Sequence, residues 1–167
     1  TYSELDGMVK IDDYIKFAQE NNLKSISCTD HGNMNSAIAF YLACKEAKIK
    51  PIIGSEFYIS TGLVDKNFVQ TSENGIEQIK NERAKKNFHI ILLAKNLIGY
   101  KNLIKLTTYA NIENFYRKPR ITLEKIKEHS EGLICSTACV GSIWGYYLNN
   151  GMDKEAEDLL IEFKDIF

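Results

Sequence analysis

The sequence predicts an α/β fold with parallel strands, and three observations carry that expectation. The stretch from Lys24 to Ser60, KSISCTDHGNMNSAIAFYLACKEAKIKPIIGSEFYIS, reads as strand, loop, helix and strand. Two further short apolar runs follow, at Phe88 to Ala94 (FHIILLA) and Gly132 to Ser136 (GLICS). Between and beyond them, apolar residues recur at helical spacing. Short buried strands alternating with helices favour a parallel sheet, open or closed.

Each element has its own signal. Thr1 to Gly7 is a loop with a turn at Asp6-Gly7. Ile11 to Asn22 is a helix with Ile11, Tyr14, Ile15 and Ala18 on one face. Ser25 to Thr29 is a strand ending on the polar cluster Asp30-His31-Gly32-Asn33. The next helix carries Met34, Ala37, Ile38, Tyr41 and Leu42, and Lys50-Pro51 ends it, because a residue before proline is pushed out of the α region. Pro51 to Ser60 is a strand with one carboxylate, Glu56, among apolar neighbours.

Thr61 to Asn87 is polar, with a turn signal at Ser72-Glu73-Asn74-Gly75. It is read as a surface excursion or a helix from Gly75 to Lys85. Leu97 to Ala110 is a helix with Leu97, Tyr100, Leu103, Ile104 and Thr107 inward. Asn111 to Ile121 is an aromatic and basic loop, and Thr122 caps a short helix running to His129. Ser142 to Asn149 is helical and stops at Gly151. Asp153 caps a last helix striped with Ala156, Leu159, Leu160, Phe163 and Ile166.

The bulk numbers narrow the class. The 167 residues suit one domain or a piece of a larger one, and a 44% hydrophobic share permits a sizeable core. A net charge of −1 gives no support to strong nonspecific nucleic-acid binding by this stretch alone. No apolar run approaches the roughly twenty residues of a membrane span, and no signal-peptide pattern is seen. The four cysteines lack CxxC and zinc-finger spacing, so they read as free thiols of a cytoplasmic protein. Only about four strands are visible, the chain opens on Thr1 without methionine, and it closes inside a helix. The expectation is a fragment.

Asp30, His31 and Glu56 carry the strongest chemical signal. In βα folds functional groups gather at the carboxyl ends of strands. Imidazole and carboxylate together bind a borderline divalent ion, which activates water for attack on a phosphoester. The competing reading makes Asp30 a helix cap and His31 an ordinary loop histidine. His89, inside an apolar strand, is either a core residue or a ligand. Cys139 is either a structural thiol or a thiolate ligand. Arg117, Lys118 and Arg120 are candidate phosphate contacts or a solvated loop, and Asp6 is most simply a turn residue. His129 reads as a solvated helix end. No glycine-rich phosphate loop and no GxSxG are present.

Five segments occur in the order TYSELDG, CTDHGNMNSAIAFYLACKEAKIKPIIGSEFY, FHIILLAKNLIGYKNLIKL, FYRKPRI and SEGLICSTACVGS. In that order they resemble the N-terminal PHP (polymerase and histidinol phosphatase) domain of the bacterial DNA polymerase III alpha subunit family. The resemblance covers nearly all of the chain apart from 61–87. It implies a distorted (βα)7 barrel, here incomplete at both ends, with metal ligands at one mouth. It places Asp6, His31, Glu56, His89 and Cys139 on positions that supply ligands to zinc, manganese or iron, with Asp30 in support. The family's site also uses a His-x-His ahead of the matched residues and an Asp-x-His beyond them. Neither is in this chain, which implies weak metal binding by this stretch alone.

The resemblance further implies a parent that carries out template-directed 5′→3′ DNA synthesis in chromosome replication. Its partners would be DNA, a proofreading exonuclease and a sliding clamp. The magnesium-binding palm, with fingers and thumb, is absent from these residues, so they extend no primer. Within such a parent the segment either removes nucleotides 3′→5′ or serves as a scaffold. The alternatives are a free-standing PHP phosphoesterase of the histidinol-phosphatase kind and a non-catalytic interaction module.

Overall fold

The computed structural model describes residues 7–60 and 87–167. In chain order the elements are α1 (Ile11–Glu20), β1 (Ser25–His31), α2 (Ala37–Glu46), β2 (Lys50–Ser60) and β3 (Asn87–Ala94). Then come α3 (Leu97–Thr108), a π-turn (Tyr109–Glu113), β4 (Phe115–Tyr116), β5 (Lys118–Ile121) and α4 (Leu123–Glu128). The chain continues through β6 (Leu133–Ser136), α5 (Ile143–Asn149) and α6 (Asp153–Ile166). The sequence expectations on Asp6, on the turn at Ser72 to Gly75 and on a helix from Gly75 to Lys85 lie outside the described residues.

β2 organises the sheet. β1 runs parallel to it, pairing Ser25 with Lys50 through His31 with Glu56. β5 joins the same edge further on, also parallel, through Tyr58–Arg120 and Ile59–Ile121. β3 takes the other edge, pairing Gly54 with Leu93 through Ser60 with Asn87. That pairing is antiparallel, and β6 is antiparallel to β3 in turn. The fold is mixed α/β, and the all-parallel expectation is corrected at β3. An apolar run reports burial but carries no direction, so sequence alone did not distinguish the two pairings.

Alternation along β2 separates core from site. Phe57 and Ile59 are fully buried and pack with Ile90, Leu92, Leu103 and Ile121. A second cluster joins Ala18, Ile26, Phe40, Cys44, Ile49 and Ile53 beneath α1 and α2. Glu56 and Tyr58, of opposite parity to Phe57, project from the other face.

Several expected faces and ends shift. In α2 the buried residues are Ala37, Phe40 and Cys44, while Ile38 and Leu42 are about 60% exposed, at 62% and 60%. This helix is apolar on every side, so spacing could not select its inner face. It ends at Glu46, not at Lys50-Pro51. Lys48 turns left-handed (φ 56°), and Lys50 already belongs to β2, its N–H bonded to Lys24 O at 3.0 Å.

In α3 the inward set is Gly99, Asn102, Leu103 and Leu106, with Leu97 and Ile104 outside. Gly99 abuts Gly132, and Asn102 Nδ2 donates to Glu131 O at 2.9 Å, which rotates the helix away from the predicted stripe. The predicted loop over 111–121 instead holds β4 and β5, joined across a left-handed Arg117 (φ 62°). β6 is only half buried, with Ile134 exposed. In α6 Leu160 is exposed, and Asp153 is the first helical residue, where it favours the dipole without making a side-chain cap. Thr122 and Ser142 do cap, accepting from Lys125 N at 3.3 Å and Gly145 N at 3.1 Å. Among the described residues no helix is long and apolar enough to cross a membrane.

Candidate metal centre

Register brings three strands' polar residues to one face. His31, the last residue of β1, pairs with Glu56, and His89 pairs with Tyr58 two places along. The Glu56 carboxylate therefore sits between two imidazoles. His31 Nδ1 is 3.2 Å from Oε2, and His89 Nδ1 is 2.8 Å from Oε1. At 2.8 Å the His89 imidazole donates to the carboxylate when its Nδ1 carries the proton, and His31 stands beside the other carboxylate oxygen. The Glu56 side chain is 14% exposed, so the charge is held in a mostly dry setting.

Cys139 completes the group from the loop after β6. Its Sγ lies 3.5 Å from His89 Nδ1 and accepts the Gly141 N–H at 3.3 Å. The loop is tied to β3 by a bond from His89 N to Gly141 O at 3.2 Å. A Cβ at Gly141 would stand 3.4 Å from both Cys139 Sγ and His89 Nδ1, in van der Waals contact with the group. One ligand atom each from Glu56, His89 and Cys139 falls within 4.8 Å of the others, the one such cluster among the described residues.

The donors fit a borderline divalent ion. Nitrogen, oxygen and sulfur ligands around a single ion stand roughly 3.3–3.8 Å apart, as bond lengths of about 2.0–2.3 Å dictate. The spacings from His89 Nδ1, 2.8 Å to Glu56 Oε1 and 3.5 Å to Cys139 Sγ, come close to that span. A cleft of about 390 Å³ adjoins it, lined by Val9, Tyr14, Asp30, His31, Phe40 and Glu56.

The loop after β1 is braced from several sides. Asp30 is buried, and its carboxylate accepts the Ser36 N–H at 3.0 Å at the start of α2. It stands outside the Glu56–His89–Cys139 cluster and fastens the loop that carries His31. Ser55, which sequence reasoning passed over, lies with Oγ 3.0 Å from Asp30 O and 2.9 Å from Asn33 O. Gly32 (φ 65°) donates to Glu56 O at 2.8 Å and accepts from Asn111 Nδ2 of the π-turn at 2.9 Å. A Cβ on Gly32 would meet Pro119 Cγ at 2.3 Å, so the left-handed φ and the close approach both call for glycine.

The basic turn is also brought to this face. Lys118 Nζ lies 3.4 Å from the Tyr58 hydroxyl, and Arg120 pairs in register with Tyr58. Arg117 occupies the left-handed turn position and is exposed. His129, at the distant end of α4, is held below the usual imidazole range by burial. Asp6 is outside the described residues.

The cysteines divide by environment. Burial pushes the thiols of Cys28 and Cys44 up, and that of Cys135 up to about 12. At pH 8 the Cys135 thiolate fraction is on the order of 10⁻⁴. Cys139 is the exposed one of the four. A short iodoacetamide pulse at pH 8, read by mass spectrometry, is expected to label Cys139 about tenfold faster than Cys135 or more. Saturating zinc is expected to slow it. Equal labelling of Cys135 would contradict this environment.

A family model described as the PHP domain matches residues 1–167. The chain belongs to the PHP domain family. Curated relatives agree. The chain is 44% identical over 166 residues to the DNA polymerase III subunit alpha of Aquifex aeolicus, covering 99% of this chain and 14% of that protein. It is 42% identical over 166 residues to the corresponding subunit of Borreliella burgdorferi, again covering 99% and 14%. The Helicobacter pylori subunit is 39% identical over 176 residues, covering 99% of this chain and 13% of that protein. This PHP chain thus spans about one-seventh of the length of those relatives.

Proposed function

We propose that this PHP chain is the metal-holding segment of a bacterial replicative DNA polymerase alpha subunit, and that its site cleaves phosphoester bonds at DNA 3′ ends. The observation supporting this is the Glu56 carboxylate set between His31 and His89, with Cys139 beside it. Glu56, His89 and Cys139 would hold one divalent ion, and His31 and Asp6 would add ligands. A bound zinc, manganese or iron ion supplies Lewis-acid chemistry.

The chain's own residues do the rest. Asp30 and Ser55 fix the His31 loop, and Gly141 N–H holds the Cys139 sulfur in place. Lys118, with Arg117 and Arg120, would contact the substrate phosphate. The mixed sheet is proposed as part of a distorted barrel of seven βα units. The whole protein is proposed to synthesise DNA 5′→3′ in the cytoplasm with magnesium at a separate palm, beside a proofreading exonuclease and a sliding clamp.

The test is elemental analysis of the gently purified full-length protein, with release of label from 3′-labelled single-stranded DNA. Near-stoichiometric metal is expected, with label release falling at least about 100-fold in His31→Ala. Metal near zero, with no release above background, would leave a scaffold.

A further inference from the structure

Tyr58 links the imidazoles to the basic turn. Its ring meets His89 edge-on, centroids 5.2 Å apart, and faces His31 at 6.5 Å. Lys118 Nζ lies 3.4 Å from its hydroxyl and 4.4 Å from its ring centroid. The backbone dictates this. Tyr58 follows Glu56 by two residues on the same face of β2, and it pairs with His89 on one edge and Arg120 on the other. Lys118 precedes Arg120 by two in β5, which turns it to the same face.

The chemistry of the pair is specific. An ammonium only donates, so the Tyr58 oxygen accepts from Lys118 and its own hydrogen is left to donate elsewhere. Accepting from a cation also strengthens a hydroxyl as a donor. The residue is 7% exposed, so the donor is held stiffly, whereas Lys118 is exposed. A buried neutral donor next to an exposed cation suits a tetrahedral phosphoryl group, which offers several oxygens in different directions.

We propose that Tyr58 is a substrate-contacting residue. Its hydroxyl would donate to a non-bridging phosphoryl oxygen of an ester bound at the ion that Glu56, His89 and Cys139 would hold, while Lys118 orients that hydroxyl and balances the phosphoryl charge. The substrate class is a phosphate monoester or a terminal phosphodiester. This rests on the phosphoesterase reading above and adds the residue that grips the reacting group.

The test is calorimetric titration of inorganic phosphate into the manganese-treated full chain, after metal content and melting temperature are measured. Tyr58→Phe keeps the ring against both histidines, and Lys118→Met keeps the stem, so neither is expected to change metal content. Tyr58→Phe is expected to weaken phosphate about five- to tenfold, and Lys118→Met about tenfold or more. The double variant is expected to lose less than the product of the two, because the hydroxyl depends on its lysine.

Phosphate affinity within twofold of wild type in Tyr58→Phe, at unchanged metal content, would overturn the proposal and make the ring mere packing. A wild type that takes up no metal would sink the phosphoesterase reading and the Tyr58 contact with it, whereas unchanged phosphate affinity in metal-loaded Tyr58→Phe sinks the contact alone.

Discussion

Glu56→Gln is expected to lower the affinity of the chain for manganese or zinc by more than about 100-fold while leaving it folded. Residues that merely orient metal ligands are worth roughly 10–100-fold in affinity, and Glu56 offers ligand oxygens directly. It is also the carboxylate between His31 and His89, so its charge is what draws a cation against two imidazoles. Glutamine keeps the shape and one acceptor, and the core on the far side of β2 is untouched.

The readout is metal-dependent melting. At a metal concentration 100 times the wild-type dissociation constant, binding stabilises wild type by about 2.7 kcal/mol. A variant bound 100-fold more weakly gains only about 0.4 kcal/mol. For a chain of this size that is a rise of about 5–10 °C against about 1–2 °C. The wild-type rise is expected to shrink as pH falls, because imidazole and thiol ligands must shed their protons to bind metal. An equal rise in both proteins would remove Glu56 from the centre.

Gly99→Ala is expected to cost about 3 kcal/mol or more and lower the melting temperature by about 6–12 °C. A Cβ at Gly99 would stand 1.9 Å from the Gly132 carbonyl oxygen and 2.6 Å from its carbon. Neither partner can retreat easily. The Gly132 oxygen accepts from Lys95 N at 2.9 Å, and Gly132 itself is left-handed (φ 73°) with Asn96 Oδ1 2.4 Å from where its own Cβ would be. On the helix side, Asn96 Oδ1 caps α3 through Gly99 N at 3.0 Å. Thermal unfolding followed by circular dichroism checks the cost, and a fall of under 2 °C would show that the contact yields. Because Gly132 leads directly into β6 and so to Cys139, the variant is also expected to loosen the thiol's position.

The residues that approach one another were largely visible in the sequence, and the way they are assembled was not. His31 and Glu56 could be placed on adjoining strands because a helix-length connection between two short apolar runs makes a parallel pair, and β1 and β2 are such a pair. His89 and Cys139 came from a likeness of motifs, since a lone imidazole in FHIILLA says nothing of its neighbours. β3 running against β2 could not be read, because hydrogen-bond direction leaves no trace in an apolar run. The basic segment looked like a loop because Pro119 and three cations hide the alternation that places Ile121 in the core. Tyr58 passed for one more apolar strand residue, since only the register with His89 and Arg120 reveals its company.

The alternation along β2 constrains how this lineage can change. Glu56 and Phe57 are neighbours that serve opposite masters, one the polar face and one the fully buried interior. Inserting or deleting a single residue ahead of them would drive the carboxylate into oil and push the phenyl ring into water. Such a frame change would be purged as a folding failure before its chemistry was ever tried. Descendants that abandon the site should therefore do so by swapping side chains one at a time, keeping strand length intact and leaving an inert sheet that is still recognisably kin.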